Sequence, residues 1–440
     1  MAGFHTVTLG CKLNQFDGAA IEGELARRGY RAMSDPSEAT VHVVNTCTVT
    51  HKADADARKL IRSLHRARPD ATLLVTGCYA EHDAEILDAM DEVTRVFGNR
   101  DKPRLGAILD EVGIYSLTPE AAIDRGCDNQ ATLPQALHFG EKSRAFLKVQ
   151  DGCRLACAYC IIPQVRGASR SVPAENVKAS LLQLVAAGYP EVVLTGVNTG
   201  DYGRDFDQPQ TLAELLRRLL AAAPHTRLRL NSLEPLTVSD EIIELIASEP
   251  RLASHLQIPL QSGSPKVLRG MRRNYRLRHY TKVVGRLRER IPEIGLGADV
   301  IVGFPGESDD CFEESYEYIA ASPLNYLHVF SWSPRPGTDA ADYPDRVSPA
   351  VQRERSARLR TLADELGFKF RERFVRHEME AVTLGERRDG RGQRALTSNF
   401  IEVTLPSGSA PSGSSVIVQI ESVEREKTVA TLVGRPDWAE

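Results

Sequence analysis

No stretch of this 440-residue chain approaches the roughly 18 consecutive apolar residues that a membrane-crossing helix requires. The opening MAGFHTVTLG has neither a basic start nor a small-residue cleavage site, so no export signal is read and a cytoplasmic protein without a membrane partner is expected. Excess positive charge is missing too. The chain holds 55 Lys and Arg against 59 Asp and Glu, a net −4, which excludes a wholly basic nucleic-acid binder and leaves RNA only local patches. Eight cysteines in a long chain without an export signal point to metal binding, catalysis or packing rather than to a disulfide framework. What is present is an ordinary globular composition, 42% hydrophobic and 26% charged, which supplies a sizeable core and argues against wholesale disorder. At roughly 150 residues per domain, the length suggests about three domains.

Up to about residue 100 the pattern alternates strand and helix. HisThrValThrLeu at 5–9, ThrValHisValVal at 40–44 and ThrLeuLeuValThr at 72–76 read as strands. Helices are expected over 17–28, with Asp17 near the N-cap and Gly29 closing it, and over 53–67. This alternation predicts an α/β fold with a parallel sheet and crossover helices. Periodicity fades from 101 to 143, which marks a domain boundary. AlaPheLeuLysVal at 145–149 restarts it, and further strands are expected near 191–195, 227–231, 256–260, 296–302 and 326–330. Six strand-helix units suggest a partial (β/α)6 barrel. A helical, Arg-rich stretch at 348–376 is either a solvated face or a binding surface. Four short alternating strands then follow, separated by Pro, Gly and Ser, and predict a small antiparallel β-barrel or sandwich. The expected domains are 1–115, 140–370 and 373–440.

Cys153, Cys157 and Cys160 form a CxxxCxxC loop just beyond the strand at 145–149. A structural zinc takes four ligands, and neither His nor a further Cys follows closely, so the loop supplies three. A cubane iron–sulfur cluster held by three thiolates keeps one iron open to a small molecule. A zinc loop completed by a remote residue is the alternative. Cys11, Cys47 and Cys78 each stand one to three residues beyond an expected strand. In a parallel sheet those ends emerge along one edge, where ligands gather, so the three thiols are expected to share a second centre. Taken singly, each also fits a packed cysteine, the default for Cys127 and Cys311.

CysArgLeuAlaCysAlaTyrCysIleIlePro at 153–163, with ArgGly at 166–167, resembles the loop of the radical S-adenosylmethionine superfamily. ThrLeuGlyCysLysLeuAsn, AsnThrCysThrValThr and ThrGlyCysTyrAla upstream resemble the N-terminal domain of the methylthiotransferases. ProLeuGlnSerGlySer at 259–264, AspValIleValGlyPheProGlyGlu at 299–307 and SerProArgProGlyThr at 333–338 extend the resemblance over nearly the whole chain. The C-terminal portion is similar to the TRAM domain, an RNA-binding barrel. ThrLeuGlyCysLysLeuAsnGln, and CysIleIlePro with ArgSer at 170–171, are most similar to the branch that methylthiolates N6-threonylcarbamoyladenosine beside the tRNA anticodon. Related branches act on isopentenyladenosine in tRNA or on an aspartate of a ribosomal protein. A non-catalytic iron–sulfur RNA-binding protein is the reading from another class.

The resemblance implies two [4Fe-4S] clusters, a catalytic one on Cys153, Cys157 and Cys160 and a sulfur-carrying one on Cys11, Cys47 and Cys78. It implies that S-adenosylmethionine is cleaved by one electron, from a donor such as flavodoxin or ferredoxin, to a radical that takes hydrogen from C2 of the adenine. The sulfur source stays open. Tyr159, Gly196, Asn198, Ser232, Glu234, Gln261, Ser262 and Phe304 are the candidates for binding S-adenosylmethionine, most of them just past expected strands of the barrel rim. Gly196 is expected to let backbone approach the methionyl part, a plain turn being the alternative, and Phe304 to flank adenine. For the tRNA anticodon stem-loop, Arg387, Arg388, Arg391 and Arg394 crowd an AspGly turn where they reach phosphate or merely solvate a hairpin tip. Phe400, expected on the following strand, either stacks on a base or belongs to the core.

Overall fold

The computed structural model describes residues 2–117, 139–140, 142–387 and 389–439, so Cys127 and Arg388 lie outside the described residues. The chain forms two compact units that do not follow chain order. The first gathers residues up to 139 together with Ile161–Ala168 and Ser333–Arg335, and the second holds the remainder.

The first unit runs β1 (Gly3–Thr8), α1 (Lys12–Arg27), β2 (Arg31–Ala32), β3 (Val41–Thr46), α2 (His51–Ala67), β4 (Thr72–Gly77), α3 (Cys78–His82), α4 (Ala84–Asp88), β5 (Arg95–Val96) and α5 (Leu105–Glu111), joined by α6 (Ile162–Arg166). Its sheet is wholly parallel in the order β2-β1-β3-β4-β5. Central β3 is buried from end to end, as a parallel strand covered on both faces should be. Ile21, Leu25, Ile108 and Leu109 of α1 and α5 pack one face, and Ala57, Ile61 and Leu64 of α2 the other. Helix α1 starts five residues before the expected Asp17, because that carboxylate is no cap. It is buried in the helix interior, 2.8 Å from Lys102 Nζ and 3.2 Å from Arg166 Nη2. Gly29, at φ +91°, does end the helix. Helix α5 lies where periodicity fades; at seven residues it is too short to show a repeat, yet Leu105, Ile108 and Leu109 reach the core. The Ser333–Arg335 segment brings Arg335 to Asp54 at 2.7 Å and to Thr48 at 2.5 Å, all three buried.

The second unit holds β6 (Ala145–Lys148), β7 (Gln150–Asp151), β8 (Arg170–Ser171), α7 (Ala174–Ala186), β9 (Glu191–Thr195), α8 (Leu212–Ala222), β10 (Arg227–Leu230), α9 (Asp240–Ser248), β11 (His255–Gln257), α10 (Pro265–Gly270), α11 (Leu277–Arg290), β12 (Gly295–Val302), α12 (Asp309–Ala321), β13 (Tyr326–Ser331) and α13 (Pro349–Glu372). Parallel sheets β6-β9-β10 and β11-β12-β13 meet through the bridges Leu228↔Leu252 and Ser232↔Gln257. The six parallel strands form the expected partial (β/α)6 barrel, with its C-terminal strand ends on one rim.

Strands β14 (Glu378–Glu386), β15 (Gln393–Thr397), β16 (Glu402–Leu405), β17 (Ser415–Val423) and β18 (Thr428–Gly434) close into a barrel in the order β14-β15-β16-β18-β17. Every pairing is antiparallel except the closing contact of β16 with β18 at Thr404↔Val429. The sequence shows four of these strands. Polar, five-residue β15 escapes the alternation rule. Its end and the turn after it pack beneath the N-terminal ends of the parallel strands. Arg229 donates to the Thr397 and Ser398 carbonyls at 3.0 and 2.9 Å, and Arg227 to Leu396 at 3.3 Å. A Cβ on Gly295 would lie 2.1 Å from the Asn399 carbonyl oxygen. Phe400 is therefore in a turn, at φ +72°, and not on a strand. Its ring stacks on His255 at 4.3 Å and Tyr326 at 5.4 Å, which removes it from base stacking. No helix among the described residues is long and apolar enough to cross a membrane.

Candidate functional site

In the first unit Cys11, Cys47 and Cys78 follow β1, β3 and β4, neighbours in the sheet, so the three stand along the carboxyl edge of adjacent parallel strands. Gly10 at φ +98° and Gly77 at φ +100° make the turns into Cys11 and Cys78. A Cβ on Gly10 would lie 2.7 Å from Cys47 Cβ and 2.9 Å from its Sγ, so glycine is what lets the chain pass against that thiol. Burial pushes the Cys47 thiol up to about 11, with Cys78 and Cys11 adding to the rise and Arg166 opposing it. Cys78 is buried against Ile161 and Val165, with Asn99 Nδ2 donating to its Sγ at 3.6 Å; Cys11 is exposed. Below the thiols Asn14 donates to the Leu9 and Thr46 carbonyls at 2.8 Å each and accepts from Arg166, which fixes the strand-end turns.

In the second unit Cys153, Cys157 and Cys160 are half-buried on the loop after β7. The Leu155 amide donates to Cys153 Sγ at 3.4 Å. Arg273, just past α10, donates from Nη1 to Cys157 Sγ at 3.2 Å and to the Tyr159 hydroxyl at 3.5 Å, and from Nη2 to Glu234. Its guanidinium lies 5.0 Å above the Tyr275 ring. Burial pushes up the Cys153 thiol and the Tyr159 phenol; it also pushes up the Glu234 carboxyl, which Arg273 draws back. Among the described residues no three His, Cys, Asp or Glu side chains converge as ligands of one ion. A four-iron cluster takes one thiolate per iron at separate corners and needs no such convergence, and three thiols on one strand edge or one loop are the donor set it takes.

The expected S-adenosylmethionine contacts divide sharply. Asn198, past β9, is buried, and its Oδ1, like Oγ1 of the next residue Thr199, has no hydrogen-bond partner among the described residues. Gln261 sits on the rim at φ +64°, its amide donating to the Asp299 carbonyl at 2.7 Å, a strained conformation for a non-glycine. Ser232 is half-buried past β10. Glu234 is engaged by Arg273. Gly196 has a requirement of its own within the fold: a Cβ there would lie 2.8 Å from Gln150 Oε1. Gln150 in turn donates to the Gly152 carbonyl at 2.7 Å and accepts from the Asn198 amide at 2.9 Å, so it ties the cysteine loop to the next strand end. Ser262 is buried, its hydroxyl held by Ser315 at 2.9 Å and by the Ser264 amide at 3.1 Å, as a turn clamp. Phe304 is core, 1% exposed between Trp332 and Tyr343, and has no face for an adenine.

A polar group that the sequence reading missed lies on one face of β11, β12 and β13. Gln257 Nε2 donates to Asp299 Oδ1 at 2.7 Å, and His328 Nδ1 lies 3.2 Å from the same oxygen. The alternate residues Ala298, Val300 and Val302 are buried, while the His328 and Phe330 side chains are exposed. Strand alternation in AspValIleVal was the available signal, as it sets Asp299 opposite the apolar face. Arg273 carried no signal beyond being one of many arginines.

Of the expected RNA contacts, Arg394 is on β15, half exposed and paired to Glu402 at 2.9 and 2.5 Å across the strands. Arg387 lies 3.4 Å from Asp389, and Arg391 is exposed on the turn.

Residues 147–319 match the Radical SAM superfamily, and residues 3–98 match Uncharacterized protein family UPF0004. The threonylcarbamoyladenosine tRNA methylthiotransferase MtaB of Bacillus subtilis (strain 168) is 35% identical over 430 residues, 95% of this chain and 93% of its own. The ribosomal protein uS12 methylthiotransferase RimO of Trichlorobacter lovleyi is 33% identical, with 97% of each chain covered. The tRNA-2-methylthio-N(6)-dimethylallyladenosine synthase of Acidothermus cellulolyticus is 34% identical over 92% of this chain and 80% of its own. Among solved structures, the radical S-adenosylmethionine methyltransferase TsrM from Kitasatospora setae, with cobalamin and [4Fe-4S] cluster bound, superposes at a TM-score of 0.55 and 15% identity, over 78% of this chain and 77% of that one. That likeness is one of fold.

Proposed function

We propose, since the chain belongs to the radical S-adenosylmethionine methylthiotransferase family, that its substrate is the N6-threonylcarbamoyladenosine beside a tRNA anticodon, methylthiolated at C2. The curated MtaB relatives named for that nucleoside favour it, and so does the polar face built by Gln257, Asp299 and His328. A threonylcarbamoyl group carries ureido N–H donors, a carbonyl and a carboxylate, which an acid, an amide and an imidazole can pair. An isopentenyl group is hydrocarbon and offers these three side chains no hydrogen-bond partner beyond one another.

A [4Fe-4S] cluster with S-adenosylmethionine supplies a carbon radical able to attack a C–H bond that acids and bases leave alone. Cys153, Cys157 and Cys160 would hold that cluster, and Cys11, Cys47 and Cys78 the second. Asn198 and Thr199 offer the cofactor's amino and hydroxyl groups oxygens that have no partner among the described residues, with Gln261 on the same rim. Gln150 keeps the cysteine loop against β9, and Gly77 and Gly10 keep the first-unit thiols at the sheet edge. Arg391, exposed on the turn, and the surface-paired Arg387 and Arg394 would meet phosphate. An electron donor of the flavodoxin or ferredoxin kind completes the requirement.

Mass analysis of tRNA nucleosides from a deletion strain tests the substrate. The expected result is loss of the methylthio form of N6-threonylcarbamoyladenosine with the unmodified nucleoside accumulating. Loss of methylthio from isopentenyladenosine or from ribosomal protein uS12 instead would overturn it.

A further inference from the structure

We propose that Arg273 hydrogen-bonds the Cys157 thiolate and, with Glu234 as counter-charge, sets the reduction potential of the centre on Cys153, Cys157 and Cys160. This rests on the reading of those three cysteines as cluster ligands.

Arg273 is 2% exposed, an expensive place for a guanidinium unless its donors are used. Nη1 reaches Cys157 Sγ at 3.2 Å and the Tyr159 hydroxyl at 3.5 Å, and Nη2 binds Glu234. Nε is buried with no hydrogen-bond partner among the described residues, so the loop contacts do not use every donor of this guanidinium. The turn that aims the side chain is itself constrained: Arg272 is at φ +53°, and the Arg273 amide donates to the Leu268 carbonyl at 3.0 Å. A salt bridge serving only to hold the loop would need neither a sulfur contact nor a spare donor. Hydrogen bonds to cluster sulfurs and the net charge around a cluster are the protein's main controls on its potential. A fixed cation here favours the added electron, and the Glu234 carboxylate tempers it. The two residues therefore act with opposite sign on one quantity, and Arg273 is a positioning and tuning residue.

The full-length Cys47→Ala chain, reconstituted anaerobically so that only the loop centre titrates, is the parent for an EPR-monitored potential measurement without S-adenosylmethionine. With about four irons retained per chain, Arg273→Gln is expected to move the midpoint to more negative potential and Glu234→Gln to more positive potential. Arg273→Lys, which keeps the charge but loses the fork, should fall between Arg273→Gln and the parent. If Arg273→Gln fails to assemble a centre, the upward shift in Glu234→Gln and the downward shift in Arg273→Lys decide in its place. Unchanged potentials, or shifts of one sign in both neutralising variants, overturn the proposal. A parent chain that assembles no loop centre overturns the cysteine reading itself, and iron content shows that before any potential is measured.

Discussion

The chemistry assigned to the two cysteine trios separates at single positions. Cys157→Ala removes one thiolate of three and is expected to abolish S-adenosylmethionine cleavage, read as 5′-deoxyadenosine. Cys47→Ala is expected to keep cleavage and lose methylthio transfer; equal loss of both in the Cys47 variant, with the loop centre intact, contradicts separate roles. Gly10→Ala strikes the same edge without touching a thiol. Its Cβ would collide with Cys47 and its φ of +98° suits only glycine, so about 1–3 kcal/mol of strain and a fall from about eight irons per chain towards four are expected. His42 gives the first unit a pH dependence. It is fully buried in β3 with neither ring nitrogen hydrogen-bonded among the described residues, and burial, helped by His5 and Arg68, lowers it from 6.5 to about 4. Because the unfolded chain takes up the proton first, stability is fully present above pH 6.5 and declines as the pH falls towards 4, by up to about 1.4 kcal/mol per pH unit. Thermal unfolding across that window should show the decline in the parent and a flatter profile in His42→Leu.

At the scale of elements, what could be read was what repeats. Buried β3, β4, β9 and β12 carry β-branched runs, and their expected bounds fall within two residues of the observed ones. What could not be read depends on partners distant in sequence. Asp17 looks like a cap until Lys102 and Arg166 reach it, and β15 looks like a hairpin tip until β14 and β16 flank it. Glu191, Arg227 and Arg229 look like surface charges on β9 and β10, yet all are at most 1% exposed. Burial alone would raise the Glu191 carboxyl, but Arg229, Arg227 and Arg144 outweigh it and hold it well below the usual range. Glu191→Ala leaves two buried guanidinium groups without their carboxylate. It should cost about 3–5 kcal/mol, seen as a lowered denaturation midpoint, whereas a change under about 1 kcal/mol would show the cluster to be solvated.

For the whole molecule, the placement of Cys11, Cys47 and Cys78 along one sheet edge was legible, because cysteines just past parallel strands need only topology to be placed. The rim of the parallel barrel needed side-chain packing: Phe304 and Ser262 turned inward, while Gln257, Asp299 and His328 turned to the open face. The least legible feature is how the C-terminal barrel serves the parallel barrel within the second unit. Arg227 and Arg229 take the carbonyls of Leu396, Thr397 and Ser398, and Phe400 stacks on His255 and Tyr326. A chain ending at residue 372 therefore disturbs the parallel barrel as well as losing the C-terminal one. It bares those ring faces and strips three acceptors from two buried cations, at about 1–3 kcal/mol for each donor left unpaired. Such a chain should melt well below the parent and bind a hydrophobic dye. Unchanged melting, with S-adenosylmethionine cleavage retained and only tRNA affinity lost, would instead make the C-terminal barrel an appendage of the parallel barrel rather than its floor.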